Sequence, residues 1–221
     1  SESYNKNFVG RLWGYFSFMF SALWAGLFKV KGKYDVVVVT SPPLFVGIAG
    51  YLLSLFKRIP FVFEVRDLWP ESAIDTGVLK NKLVIKLAYW VEAFIYRKAA
   101  LINVLTPAFY NTLKDKKGVP TDKLIFIPNA ADFSLSDHLL ETFDREAFRK
   151  EHNLDGKFVI TYVGAHGVAN HLEQILDAGK ALEDTPVLFQ LIGQGMEKPR
   201  LQSLAQSMKV KNVRFLDAVP K

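Results

Sequence analysis

Seven short apolar runs rich in β-branched residues punctuate this chain, and stretches of helical character separate most of them. The runs are DVVVVT (35–40), FVFEV (61–65), LINVL (101–105), LIFIP (124–128), FVITYV (158–163), VLFQLI (187–192) and NVRFL (212–216). Helical stretches fall near 43–57, 79–98, 107–116, 144–152, 168–183 and 196–209. Continuous Val/Ile runs, rather than strict alternation, predict strands covered on both faces. Alternation of strand and helix predicts an α/β fold with parallel sheets and right-handed crossovers. The longest interval without a strand is 129–157, a polar segment followed by a short charged helix and the turn-like Asn153-Leu154-Asp155-Gly156. A domain boundary is expected there, with a first domain over 1–152 and a second over 153–221.

Composition narrows the chemistry. Half of the 221 residues are hydrophobic, too many for a disordered chain. There is no cysteine, which excludes disulfides, Cys-ligated zinc, iron–sulfur clusters and a thiol nucleophile. Four histidines, His138, His152, His166 and His171, make a His-rich metal site unexpected. The formal charge is +6, and its excess lies at one end. Residues 1–33 hold Lys6, Arg11, Lys29, Lys31 and Lys33 against Glu2 alone. Basic charge set beside the most apolar segment fits an anionic membrane surface and not a nucleic-acid groove, where Arg would interleave with exposed polar and aromatic positions.

That apolar segment is LWGYFSFMFSALWAGLF, the 17 uncharged residues from Leu12 to Phe28. Three readings are open: a helix buried in the fold, a helix lying in a membrane interface with its aromatics inserted, or a span at the short limit of length. Basic residues on both flanks give no orientation, and no cleavage site for a secretion signal follows.

In a doubly wound sheet, ligands bind beyond the carboxyl ends of the strands, so the residues after each strand matter most. Gly164-Ala165-His166-Gly167 follows 158–163. A glycine-bearing turn leading into a helix exposes backbone N–H groups to a phosphate, and His166 could donate to the same anion. The turn is neither a Walker A loop nor GxGxxG. Gly193-Gln194-Gly195 follows 187–192. Arg66-Asp67-Leu68-Trp69-Pro70-Glu71 follows 61–65 and gathers two carboxylates, a guanidinium and an indole. It is either an Arg–Asp pair closing a loop over a packed Trp69, or a substrate pocket. In the pocket reading Asp67 or Glu71 orients or deprotonates a hydroxyl, Arg66 holds a phosphate and Trp69 stacks on a sugar. Lys114-Asp115-Lys116-Lys117 has the look of a solvated helix end.

The runs TSPPLFVGIAGYLL, FVFEVRDLWPESAIDTGVL, FIPNAADF, YVGAHGVAN, LIGQGMEKPRL and NVRFLDAVP, taken together and in order, resemble bacterial family-4 glycosyltransferases of the GT-B fold. The likeness is to the branch that builds capsule, O-antigen and colanic-acid polysaccharides, including N-acetyl-L-fucosamine transferases. It implies two Rossmann-like domains with parallel sheets, an N-terminal one for the acceptor and a C-terminal one for a nucleotide sugar, typically a UDP-sugar. It implies transfer with retention and no divalent metal or other cofactor. By motif match, Gly164 and Gly167 fall in the diphosphate loop with His166 beside it. Gly193 and Gly195 fall in the loop that approaches the nucleotide. Arg66, Asp67 and Glu71 fall in the acceptor-side loop that faces the donor sugar, and Asn129 in the family's P-N-G stretch, here P-N-A.

There are departures. Many members carry Arg directly after the first glycine and Lys a few residues on, where this chain has Ala165 and Asn170-His171. The family's glutamate pair would lie beyond Lys221 and its first strand before Ser1, so both domains are expected to be incomplete and the piece inactive by itself. Acceptors in this branch are saccharides on a polyprenyl diphosphate. Residues 6–33, with help from the 79–98 helix, would hold such an enzyme on the inner face of the bacterial cytoplasmic membrane. The competing expectation is a non-catalytic, membrane-associated GT-B piece that binds a partner.

Overall fold

The computed structural model describes residues 8–219, which form two compact units meeting in sequence at Ala131 and Asp132. The first unit runs α1 (Phe8–Phe28), β1 (Val37–Ser41), α2 (Val46–Lys57), β2 (Phe61–Val65), α3 (Glu71–Asp75), α4 (Lys82–Lys98), β3 (Leu101–Val104), α5 (Pro107–Asp115) and β4 (Leu124–Phe126). The second runs α6 (Ser134–Thr142), α7 (Arg145–Glu151), β5 (Phe158–Val163), α8 (Glu173–Ala181), β6 (Val187–Ile192), α9 (Lys198–Ser207) and β7 (Val213–Leu216). Each unit holds one all-parallel sheet, ordered β1-β2-β3-β4 and β5-β6-β7.

Helix starts follow local chemistry. Asn81 Oδ1 accepts from the amides of Leu83 and Val84 and caps α4. Thr106 caps α5 through the Phe109 amide, with Pro107 at the first helical position, where its missing N–H costs nothing.

Strands in sequence order joined by right-handed crossovers put every connecting helix on one face. Burial across the first sheet agrees. Val39, Phe63, Ile102 and Leu124 align across the four strands and are buried with Leu44, Ile95 and Leu113 from the helix layer. Gly47 and Gly50 let α2 lie close, since a Cβ on either would meet Ile95 or Val39 within 2.7 Å. The opposite face is open at the β1 edge, where Val38 is 64% exposed, and closes toward β3, where Asn103 is buried. That face carries a polar row. Thr40 Oγ1 and Asn103 Nδ2 donate to the Glu64 carboxylate at 3.4 and 3.2 Å, and Asn103 Oδ1 accepts from the Ile127 amide at 2.9 Å. In the second unit Leu172, Leu176, Leu201 and Ala205 from the α8 and α9 side pack against Tyr162, Val213 and Phe215.

The domain division differs from the sequence expectation of 152/153. Helix α7 is bonded forward, not back. Arg149 donates to the carbonyls of Leu154 and Lys157, each at 2.6 Å, and Arg214 of β7 donates to His152 O at 3.2 Å. Residues 132–157 therefore belong to the second unit.

Helix α1 packs on α2: Phe16 lies 4.9 Å from Phe45, ring to ring, and Met19 is buried. Its outer side shows Trp13, Phe18, Phe20, Trp24 and Phe28 to solvent, so the fully buried reading does not hold. Among the described residues no helix is long and apolar enough to cross a membrane.

Candidate functional site

In the first unit β2 delivers Arg66 to the carboxyl edge of the sheet, where its amide donates to Ser41 O at 3.1 Å. Arg66 is exposed and Asp67 half-buried. Trp69 sits edge-on to Phe45 with ring centroids 6.1 Å apart, and Trp69–Pro70 is cis. Trp69 thus packs on the core, and the Arg66 and Asp67 side chains are left at the surface end of the loop.

Glu71 opens α3 and is tied inward. Lys117 donates to Glu71 Oε1 and to Glu92 Oε2, the latter at 2.7 Å. Tyr96 donates to Glu92 Oε1 at 3.0 Å, and Lys117 Nζ lies 4.7 Å over the Tyr89 ring. Burial pushes the Glu92 carboxyl up, against the pull of Lys117. Burial works to lower the Lys117 ammonium, but its bonds to Glu71 and Glu92 outweigh that and hold it above its ordinary value. Glu71 Oε2 is buried with no hydrogen-bond partner. Lys117 is therefore not the solvated helix end of the sequence reading; its side chain is 13% exposed, between two carboxylates. Glu92 was missed as well. Its signal was a single carboxylate on the buried stripe Ala88, Val91, Glu92, Ile95 and Tyr96.

In the second unit the two glycine loops come together at the strand ends. The Gly164 amide donates to Ile192 O at 3.0 Å, the His166 amide to Gln194 O at 2.9 Å and the Glu197 amide to His166 O at 3.0 Å. Gly193 has φ +153°. A Cβ there would lie 1.9 Å from Gly164 O, and one on Gly195 would lie 2.2 Å from His166 O. These glycines are required by backbone meeting backbone. Gly167 is not so constrained; a Cβ there would meet Asn170 Oδ1 at 3.6 Å, an ordinary contact.

Two expectations change. The helix after the first glycine loop starts at Glu173, beyond a 3-10 turn at 168–170, so Gly164–Gly167 does not lead straight into a helix N-terminus. Glu173 in that first turn is paired with Arg200. His166 does not point out toward an anion. Its ring is wholly buried, 6.1 Å from Tyr162 and 6.3 Å from Phe215, with neither nitrogen bonded. Burial first, then the charge of Lys198, lowers its pKa. Lys198 is itself buried, and donates to Gly193 O, Leu216 O and Asp217 Oδ1 at 2.9, 2.8 and 2.8 Å. It braces the Gly193 loop from behind.

A cleft of about 260 Å³ opens beside these loops, lined by Val163, Gly164, Ala165, Ile192, Gly193, Gln194, Ala218 and Val219, with no charged side chain in its lining. Asn129 is exposed in the segment after β4 and belongs to the first unit. Among the described residues no cluster of three or more acidic or His side chains forms a metal site.

A family model described as a glycosyl transferase 4-like domain matches residues 6–130, more than half of the chain. The chain belongs to that family. Within it, the chain is 27% identical over 213 residues to a protein of Escherichia coli K12 named as a colanic acid biosynthesis glycosyl transferase, WcaI, covering 92% of this chain and 52% of that protein. It is 25% identical over 203 residues to a Pseudomonas aeruginosa protein named as a glycosyltransferase, WbjE, covering 89% of this chain and 50% of that one. The Anabaena protein HepE, solved in complex with UDP, superposes with a TM-score of 0.65 at 16% identity, over 92% of this chain and 52% of its own. The family's GT-B type of fold, with parallel α/β sheets, is the fold seen here. The chain spans about half the length of the relatives it matches.

Proposed function

We propose that this chain is part of a retaining glycosyltransferase that moves a sugar from a UDP-sugar to a lipid-linked saccharide in cell-surface polysaccharide synthesis. The observation that carries this reading is the approach of Gly193 and Gly195 to the backbone of Gly164 and His166 beside the 260 Å³ cleft. Gly164 and Gly193 also line that cleft at the carboxyl ends of the strands, where the absence of their side chains leaves main chain open to a diphosphate. HepE, a structural neighbour, was solved with UDP, and WcaI carries a polysaccharide-synthesis name. Stabilising the leaving diphosphate then falls to fixed backbone dipoles, which need no reorganisation during the reaction. Lys198, paired with Asp217, holds the Gly193 loop in place from below.

In the first unit Asp67 and Arg66 are the groups free to meet an acceptor hydroxyl and a phosphate; Glu71 works through its ion pair. The exposed aromatics of α1, with Lys29 lying 5.2 Å over Trp24, supply an amphipathic surface for an anionic membrane. Such a surface supports a peripheral position on the cytoplasmic face of the inner membrane, with polyprenyl-linked saccharides as acceptors.

A second reading, a non-catalytic binding module, is favoured by Ala165 and Asn170-His171 standing where the family resemblance leads one to expect cations. Calorimetric titration of UDP separates the two. Saturable binding that CDP and GDP match poorly is expected of the transferase. Full-length enzyme with Asp67→Asn is then expected to lose roughly a hundredfold in turnover, the scale of general acid–base assistance. Unchanged turnover would remove Asp67 from the site.

A further inference from the structure

The middle of the Arg66–Glu71 loop is seated by Leu68 and Trp69 on the core, which leaves its two charged ends to be fixed in other ways. Its backbone is held by the Arg66 amide on Ser41 O at 3.1 Å, and by Leu68 O and Pro70 O, which accept from the amides of Ser72, Ala73 and Ile74. The helix that follows it has five residues. Helix α4, by contrast, has 17 residues and is seated in the core by Val91 and Ile95. Its Glu92 is 2% exposed and fixed further by the Tyr96 hydroxyl.

Lys117 joins the two. It reaches 46 residues back to Glu71 and 25 residues back to Glu92, so its ammonium bridges the loop and the core helix. A charge with so little solvent has no equivalent partner in water, and a buried pair is geometrically demanding. Lys117 takes Glu71 Oε1, and Tyr89, whose ring lies under the same ammonium, is the other neighbour of that carboxylate. Lys117 thereby ties the glutamate inward, toward α4.

We propose that Lys117 is the positioning residue of the Arg66–Glu71 loop, locking Glu71 to Glu92 so that Arg66 and Asp67 are presented to a saccharide hydroxyl in one fixed arrangement. The acceptor half of this statement rests on the reading of the loop as acceptor-side; the anchoring half does not.

Hydrogen exchange by mass spectrometry on the purified chain tests the anchor. In Lys117→Met, exchange in segment 66–75 is expected to rise by roughly tenfold or more while segment 101–104 stays within about twofold of wild type. Lys117→Arg, which keeps the charge and offers donors to both carboxylates, is expected to restore protection. Glu71→Gln is expected to loosen the same segment, with no further loosening when combined with Lys117→Met. It also serves as the readout if Lys117→Met does not fold. Unchanged exchange at 66–75 in Glu71→Gln and Lys117→Met, or additive effects of the two, would overturn the anchor. The acceptor half is tested separately, by saturation-transfer NMR with N-acetylglucosamine as the saccharide probe. A signal in wild type that Lys117→Met loses and Lys117→Arg regains supports it. A tied loop with no saccharide signal overturns the acceptor-side reading and leaves the anchor standing.

Discussion

A Cβ on Gly193 would lie 1.9 Å from the carbonyl oxygen of Gly164. The loops after β5 and β6 therefore meet main chain to main chain, and three amide bonds across the 164–167 and 192–197 segments hold them there. Gly193→Ala must either part the loops or strain the backbone at φ +153°. The expected cost is on the order of 2–3 kcal/mol of stability, from strain and overpacking together. Thermal unfolding reads it, and UDP titration of the same variant is expected to show no saturable binding. A melting curve like wild type's would mean the loops are looser than their contacts imply.

His166 gives the second unit a dependence on pH. Its ring is buried and unbonded, and burial, followed by the nearby Lys198 charge, holds its pKa below the ordinary 6.5. An unfolded chain takes up this proton as pH falls through about 6.5, whereas the folded one resists. The histidine's contribution to stability is whole above that pH and declines below it, until the folded ring protonates too. Urea unfolding between pH 8 and 5 is expected to show a steeper loss for wild type than for His166→Phe. Parallel curves would exclude His166 as the source.

The outer side of α1 is the third test. Trp13 is 74% exposed and lies on the same helix as exposed Phe20, Trp24 and Phe28. Each large apolar side chain gains about 1.5–3 kcal/mol when fully removed from water, so three together dominate a surface helix's partition. Trp13→Ser, Phe20→Ser and Trp24→Ser combined are expected to abolish sedimentation with phosphatidylglycerol vesicles. Wild-type binding is expected to weaken with added salt as the basic residues are screened. Retained binding by the triple variant would exclude α1 as the membrane contact.

The strands were legible because each is a short apolar run, most of them closed within two residues by Gly or Pro; DVVVVT and FVITYV lie on β1 and β5. Helix α6 was not, because SLSDHLLET is rich in Ser, Asp and Thr, residues whose side chains favour turns over helix interiors. The glycine loops could be picked out singly, but nothing local in either says that they touch. Lys117 is the clearest loss. In KDKKG it sits among solvated charges, and its partners lie 46 and 25 residues away. Charge pairing over such distances is written in the fold and not in the neighbouring residues. Glu92 could have been found, as a carboxylate on an otherwise apolar helical stripe.

Glu64 has a consequence for how the protein behaves in company. It projects, with Thr40 and Asn103, from the sheet face that also shows Val38. A flat patch of valines on parallel strands would invite stacking by a second sheet, the route to ordered aggregation. A carboxylate set among them would have to be stripped of water by any such dry contact, at a cost that apolar burial there does not recover. The polar row thus raises the cost of any dry contact made over this part of the sheet.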